Sequence, residues 1–505
     1  MSKIGLEHNL SVFNNTVIAL GVIIGTSLAL RFYFFPFGIP LTLDSLGYFW
    51  YASDISLLGR LPEGYTFANN GWSIFLAPFF ALIKLNNMIS LMELQRVIAT
   101  LVSILTTIPV YFLCKRFVGN FFALFGAAVF AFEPRLIQDS LLGLNDALYI
   151  LFETIALVLF LKNERTSTYV TFAFIGFASV VRSEGLFLFF ALSVVYFIRH
   201  RKNRGELLRY SILIAIFAIS VLPIAILRIE MTGTDALSGR IVNEAVAASV
   251  ASSTGITDYV KNTVITFFEF LGRDMLPVFV FFVPFGAFLI FKNRTIEKTT
   301  IIVSIIITSI PALYAYSIPA LDTKYFYFLY PMFCVLTVFA MKKYAEVISR
   351  PKILAALAII VLCGGVIFLE AKFSDRNSQT EYYNLAKYVT DNALGVNDYY
   401  PGGTYLIPAE LAKKWPIKNA DFIQHTAVIN VKGFDSLDLY IRSSKDKGLT
   451  HLVVDDKITA PFLRDVFLHD EKYPYLTKVF DSEDHGYKAH VKVYKIDYAK
   501  MISNS

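Results

Sequence analysis

The sequence predicts an α-helical polytopic membrane protein that ends in a soluble α/β domain, and three observations carry this. Of its 505 residues, 55% are hydrophobic and only 17% charged, against about a quarter charged in an ordinary soluble domain. Apolar segments of about 15 to 22 residues alternate with short polar breaks, the length a helix needs to cross a hydrocarbon core of roughly 30 Å. The composition then changes once, near Glu370. Residues 371–505 hold 18 Lys plus Arg against 18 Asp plus Glu, so the formal charge of +6 belongs to the membrane part. A cytosolic enzyme, a disordered chain and a disulfide scaffold are excluded together. The three cysteines, Cys114, Cys334 and Cys363, lie in or beside apolar runs without CxxC spacing, which indicates neither a disulfide framework nor a zinc site.

Taken in order, the apolar runs fall at about 16–37, 96–113, 119–133, 146–161, 168–181, 186–198, 210–227, 276–291, 299–317, 325–341 and 353–369, about eleven candidate spans. The fifth and sixth are short enough to be half-spans. The first is too long for a signal-peptide core and lacks a clear small-residue cleavage site, so it is expected to stay as an anchor. Two domains follow: a transmembrane domain over 1–370 and a soluble domain over 371–505. The soluble part offers a helix around Tyr382–Thr390 and strand-like runs at Tyr405–Ile407, His451–Val454 and Val491–Tyr494, punctuated by Gly and Pro.

Charge sets the orientation. With a cytosolic N-terminus, the inner loops hold 17 basic residues against five acids, and the much longer outer loops hold 10 basic residues against 15 acids. That is the expected excess of Lys and Arg on the cytoplasmic side. An odd number of spans then makes the C-terminal domain extracytoplasmic. Two outer loops are long, 38–95 and 228–275, and loops of that length in a compact protein are usually functional. The chemistry is therefore expected outside.

The first outer loop opens with Leu43-Asp44-Ser45-Leu46-Gly47-Tyr48-Phe49-Trp50-Tyr51. Two readings fit Asp44. A carboxylate just past a span is withdrawn from water and becomes a better proton acceptor; alternatively it starts a surface helix, with Tyr48, Trp50 and Tyr51 as an interfacial belt. Asn70-Gly71-Trp72 to Pro78 is too short and too broken by Gly and Pro for a span and is expected to form a helix lying on the outer surface; the alternative, a twelfth span, would invert the orientation of everything downstream. Between Phe132 and Asp146 the chain concentrates Glu133, Asp139 and Asp146; such a cluster asks for a cation, a basic partner or a polar cavity, or else is an ordinary loop with Asp146 as a cap. Positive charge on the same side comes from Arg182-Ser183-Glu184-Gly185, Arg228 and Asp322-Thr323-Lys324. Together these residues are able to hold a phosphate; singly, snorkelling to lipid headgroups explains each. Glu153, inside the fourth run, is a candidate partner of Arg31 in the first. No GxGxxG, GxxxxGK[ST], HExxH or GxSxG motif occurs. The basic loop Arg199–Arg209 is accounted for by topology and anionic lipid, and no nucleic-acid partner is expected.

These residues resemble, in order and spacing, the GT-C superfamily of integral-membrane glycosyltransferases, particularly its protein O-mannosyltransferase-like and dolichyl-phosphate-mannose-protein mannosyltransferase-like members. The likeness covers roughly residues 16–345 and rests on Asp44 with Tyr48 and Ala52, Asn70-Gly71-Trp72 to Pro78, Pro134 through Asp146, Arg182 to Gly185, and Lys324-Tyr325 before Tyr330-Pro331. The resemblance implies a polyprenyl-phosphate-linked sugar as donor, transfer on the extracytoplasmic face, and inversion at the anomeric carbon. The acceptor hydroxyl would belong to a protein, lipid or glycan. On it, Asp44 occupies the place of the first-loop catalytic acid and Asp146 that of the second, with Lys324, helped by Arg182 or Arg228, at the donor phosphate; Asp139 and Glu184 are additional acids. The chain departs from the family at Ser45, where many relatives have a second acid, and at Leu148, and it has no WWDYG-like sequence, its tryptophans being Trp50, Trp72 and Trp415. Three rival readings remain: a transporter or lipid flippase, for which no internal repeat is found; a metal-dependent oligosaccharyltransferase-like enzyme holding Mg or Mn at Asp44, Asp139 and Asp146; and an assembly protein.

Overall fold

Proline, glycine and buried charge decide where the long apolar runs break. In the computed structural model the described residues are 3–63, 65, 69–83, 88–233, 235, 256–292, 294–317, 323–348, 351–373, 376–398, 407–408 and 423–503; Asp322, Tyr405, Leu406 and Trp415 lie outside them. The chain forms two compact units, one of residues 1–35, 47–85 and 91–371, the other of 36–46, 86–90 and 372–505.

The first unit is helical. In order it contains α1 (Lys3–Tyr33), α2 (Leu43–Leu58, shared with the second unit), α3 (Gly71–Leu82), α4 (Met88–Leu105), α5 (Thr107–Lys115), α6 (Asn120–Ala131) and α7 (Pro134–Leu142). There follow α8 (Asp146–Lys162), α9 (Arg165–Val181), α10 (Gly185–His200), α11 (Arg204–Thr232), α12 (Ile256–Met275), α13 (Val283–Phe291), α14 (Ile296–Thr308), α15 (Ile310–Ala315), α16 (Tyr330–Ile348) and α17 (Pro351–Phe373). Among the described residues, five helical stretches are long and apolar enough to cross a membrane: Asn14–Tyr33, Met88–Lys115, Arg204–Thr232, Ile296–Ala315 and Lys324–Ile348. Two bent pairs bring the number to seven if each is one span. In the first, α6 and α7 meet at 47°, because Glu133 caps α7 and Pro134 takes its first position, where a missing N–H costs nothing. In the second, Val260–Met275 and Phe279–Phe291 meet at 107°. The expected straight span over 276–291 is therefore corrected: Pro277 and Pro284 interrupt the run, and a 3-10 turn over Phe279–Phe281 precedes α13.

The expected loop 38–95 is largely helical, with α2, α3 and the start of α4 inside it. The Tyr65 hydroxyl donates to the Asp54 carboxylate, and its ring stacks on Tyr51 at 4.5 Å, tying the α2–α3 connection to α2. Burial of the phenol and its bond to Asp54 both push the Tyr65 hydroxyl above its usual pKa. Helix α3 buries one face, Gly71, Trp72, Ser73 and Leu76, and leaves Pro78, Ala81 and Leu82 exposed. Side-chain-free positions allow the tightest helix contacts. A Cβ on Gly286 of α13 would lie 2.0 Å from the Leu336 carbonyl oxygen of α16, the small-residue packing that brings helices together in lipid. Elsewhere α11 stays open: Leu208, Ile212, Ile219 and Leu222 are exposed, as a lipid-facing helix requires.

Arg31 is fully buried in α1, yet its partner is not Glu153. The guanidinium donates to the Ala131 carbonyl at 2.8 Å, to the Ser103 hydroxyl at 3.3 Å and to Ser27. A backbone carbonyl at the end of α6, left over by that helix's termination, meets the need that a carboxylate was expected to meet.

The second unit carries α18 (Arg376–Asn392), β1 (Gly395–Asn397), β2 (Ile407–Pro408), β3 (Ile423–Gln424), β4 (Ala427–Ile429), α19 (Leu437–Ser444), β5 (His451–Asp455), α20 (Pro461–Leu468), β6 (Leu476–Asp481), β7 (Val491–Ile496) and α21 (Tyr498–Ser503). The antiparallel sheet runs β5-β7-β6, and two parallel pairs, β1-β4 and β2-β3, stand beside it. Leu452, Val454, Leu463, Val466 and Tyr494 anchor one apolar cluster, and Leu385, Val389, Val396, Val453 and Val493 another. Alternation along β5 and β7 sends successive side chains to opposite faces, which is why Leu452 and Val453 serve different clusters.

Candidate active site

The site is built at the end of the first unit where α8 begins. Helix α7 closes at Gly143, whose φ of 75° is left-handed, a conformation open to glycine at little cost. Its carbonyl accepts from the Trp72 indole at 3.0 Å and from the Gln95 amide at 2.8 Å. Two residues on, Asn145 donates to the Val181 carbonyl at 3.2 Å, joining the start of α8 to the end of α9. At the same junction a Cβ on Gly71 would sit 2.7 Å from the Val181 nitrogen. The Asn70-Gly71-Trp72 segment is thus fitted against both helix ends.

Arg182 follows α9 in an extended conformation, which turns its guanidinium back toward α8. One nitrogen donates to the Asp146 carboxylate and the other to Glu184 at 2.7 Å, and all three side chains are buried. Two carboxylates around one guanidinium leave the triad with a formal charge of −1. Arg228, buried in the last turns of α11, donates to the Asn70 side-chain oxygen. Residues 47–58 of α2, within the first unit, also reach this cluster: the Tyr48 carbonyl accepts from Ser73 at 3.0 Å, the charge of Arg182 acts on Tyr48, and that of Arg228 acts on Tyr51. Further along α8, Tyr149 and Glu153 stand one and two turns past Asp146. Both are fully buried, and Arg182 is the cation that acts on Glu153.

The segments 70–72, 143–146 and 182–184 and residue Arg228, singled out separately in the sequence, therefore converge. Lys324 lies in the 3-10 segment Thr323–Leu329, half-buried and 5.9 Å from the Tyr325 ring. This segment packs on α8 through Phe328, whose ring meets Tyr149 at 6.2 Å. Asp139 is buried within α7. Asp44 is in the first turn of α2, where the helix dipole favours a carboxylate, and belongs to the second unit. It is exposed rather than withdrawn from water, so its candidacy rests on position and not on burial. Arg182 and Arg228, the residues expected at a phosphate, donate to protein acceptors here.

A second charged cluster escaped sequence reasoning. Arg135 donates to the carbonyls of Arg273, at 2.6 Å, and Leu276. Its Nε is 3.6 Å from the Asp274 carboxylate, to which the Tyr330 hydroxyl donates at 2.7 Å. Glu133, buried, caps the α7 N-terminus alongside. The signal available was Glu133-Pro134, an N-cap followed by proline; nothing local pointed to Asp274 or Tyr330. Gln95 and Arg96, buried in α4 beside Gly143, were likewise hidden, Arg96 having counted only as a loop charge.

Among the described residues no group of three His, Cys, Asp or Glu side chains is placed to hold a metal ion. Asp146, expected as a ligand with Asp44 and Asp139, directs its carboxylate to Arg182.

No protein-family model matches the chain, and no curated protein matches it. Solved structures do. An Archaeoglobus fulgidus oligosaccharyltransferase, in complex with Zn and sulfate, superposes with a TM-score of 0.59 at 13% identity over 86% of this chain and 68% of its own. ArnT from Cupriavidus metallidurans, bound to undecaprenyl phosphate, gives 0.57 at 12% identity over 95% and 98%. Archaeal AglB from Archaeoglobus fulgidus, with an inhibitory peptide and a dolichol-phosphate, gives 0.53 at 12% identity over 89% and 71%. What the chain shares with these structures is the fold.

Proposed function

We propose that this protein transfers a monosaccharide from a polyprenyl-phosphate-linked donor to an acceptor hydroxyl of a protein, lipid or glycan. Transfer takes place on the extracytoplasmic face, with a cytosolic N-terminus and about eleven spans. The observation that carries the reading is the convergence of Asn70–Trp72, Asp146, Arg182–Glu184 and Arg228 at one end of the helices of a GT-C fold. ArnT and AglB, which share that fold, were solved with undecaprenyl phosphate and a dolichol-phosphate respectively, and this supports a lipid-phosphate donor here.

In the proposed mechanism Asp44 takes the proton of the acceptor hydroxyl. The oxygen attacks the anomeric carbon from the face opposite the phosphate, and the carbon–oxygen bond to phosphate breaks with its electron pair on the leaving group, inverting the centre. Lys324 neutralises the developing phosphate charge. Arg182 acts differently from the phosphate ligand expected of it: paired with Asp146 and Glu184, it fixes the acid at the start of α8. Asp44→Asn keeps shape and removes the base, so transfer by the purified protein should fall by about 10²–10⁴-fold. A rate within about threefold of wild type would take Asp44 out of that role. Lys324→Ala should impair dependence on the lipid donor more than on the acceptor, and unchanged donor kinetics would exclude its part.

A further inference from the structure

At the far end of α8 and α9 from Arg182, roughly 25 Å along helices that rise 1.5 Å per residue, the first unit has a polar cavity of about 170 Å³. Its wall combines charges of both signs. Arg165 and Arg209 supply guanidiniums, Glu164 and Glu206 carboxylates, and Tyr169 and Tyr196 an aromatic side. The parts are held in place: Arg165 Nε donates to the Tyr169 hydroxyl at 3.1 Å, the Ser167 hydroxyl donates to Glu164 at 3.1 Å, Tyr196 donates to the Glu206 carbonyl at 3.0 Å, and Arg209 is ion-paired with the Glu206 carboxylate. Leu213 supplies the apolar side, and on the same helix Leu208 and Ile212, four residues apart and so on one face, are exposed.

Each feature constrains the occupant. Two guanidiniums suit a phosphate, yet two carboxylates in the same wall repel a ligand that is only anionic. A ligand that carries a primary ammonium beside its phosphate satisfies both sets, whereas a quaternary ammonium has no N–H to give a carboxylate. Tyrosines at a helix-end ring are characteristic of the membrane–water boundary, and the apolar stripe on α11 gives acyl chains a path. We propose that this cavity binds the headgroup of an aminophospholipid, a phosphodiester bearing a primary ammonium, from the leaflet that this end of the helices meets. Arg165 takes the phosphate and Glu164 the ammonium, with the Arg209–Glu206 pair forming the wall beside them. The site is independent of the proposed transfer chemistry.

Native mass spectrometry of the full chain, purified in detergent and delipidated, tests it with phosphatidylethanolamine, phosphatidylglycerol and phosphatidylcholine. Phosphatidylethanolamine should bind about tenfold tighter than either other lipid, a difference of 1.4 kcal/mol. Arg165→Gln should remove most of that affinity, and Glu164→Gln should turn the preference toward phosphatidylglycerol; both residues are exposed, so the fold should persist. Equal binding of the three lipids by the wild type overturns the proposal, as does wild-type preference in both variants. Soluble glycerophosphoethanolamine forms the control arm: binding of it without discrimination among the lipids would assign the cavity to a soluble ligand and overturn the lipid reading.

Discussion

Asp146, Arg182 and Glu184 show what a single buried guanidinium does in this fold. Its two nitrogens face two carboxylates from different helix ends, and a planar fork makes that double contact where a compact ammonium cannot. Arg182→Ala would leave two buried carboxylates facing each other, so thermal unfolding in detergent should show a loss of about 3–5 kcal/mol. Arg182→Lys should recover only part of it, and a lysine variant as stable as wild type would contradict the clamp. Because Asp146 is already paired, exhaustive chelation should leave transfer activity unchanged, whereas loss restored by Mg or Mn would revive a cation site.

At the scale of elements, the site depends on backbones that touch. The α3 N-terminus reaches Val181 only because residue 71 has no side chain, and α13 reaches Leu336 for the same reason at residue 286. Gly286→Ala pushes a methyl group into a backbone carbonyl and should cost about 1–3 kcal/mol or more of stability. Gly71→Ala should do the same while also displacing Asn70 from Arg228 and Trp72 from Gly143, so it should lower transfer beyond its effect on unfolding. Equal losses in both variants, measured as activity per folded molecule, would separate α3 from the site.

At the scale of the whole molecule, the two units differ in build, the first helical and the second carrying the sheets. The second has its own apolar clusters and buried titratable groups. His451 in β5 is buried and pairs in register with Lys495 of β7; burial first, and then that lysine, lower its pKa below the usual 6.5. Protons therefore bind the unfolded state more readily, and stability that is complete above pH 6.5 should decline as pH falls below it. The test is chemical unfolding of this unit at pH 7.5 and pH 5.5, followed by tyrosine fluorescence; His451→Gln should flatten the difference. Asp455, raised by burial, works in the opposite sense, gaining protons in the folded state as acid is added.

How much was legible follows from the range of each signal. Helical runs in 14–33, 204–232 and 324–348 were visible because hydropathy is a property of consecutive residues, and the strands at His451 and Val491 because alternation is too. The segments Asn70–Trp72, Gly143–Asp146 and Arg182–Glu184 could be singled out as polar groups at the ends of apolar runs. Which of them would meet was not readable, since Arg182 and Asp146 are 36 positions apart and Arg228 and Asn70 are 158 apart, and hydropathy fixes no such pairing. The sequence by itself determined that this is a membrane-embedded helical body followed by a part with strands, because the cost of placing polar groups in lipid acts residue by residue. Only the tertiary structure decided that Arg31 would take a carbonyl rather than Glu153, that Arg182 would clamp two acids, and that Asp274 would join Arg135. A buried charge takes whichever acceptor packing brings within reach, and packing is a property of the assembled chain.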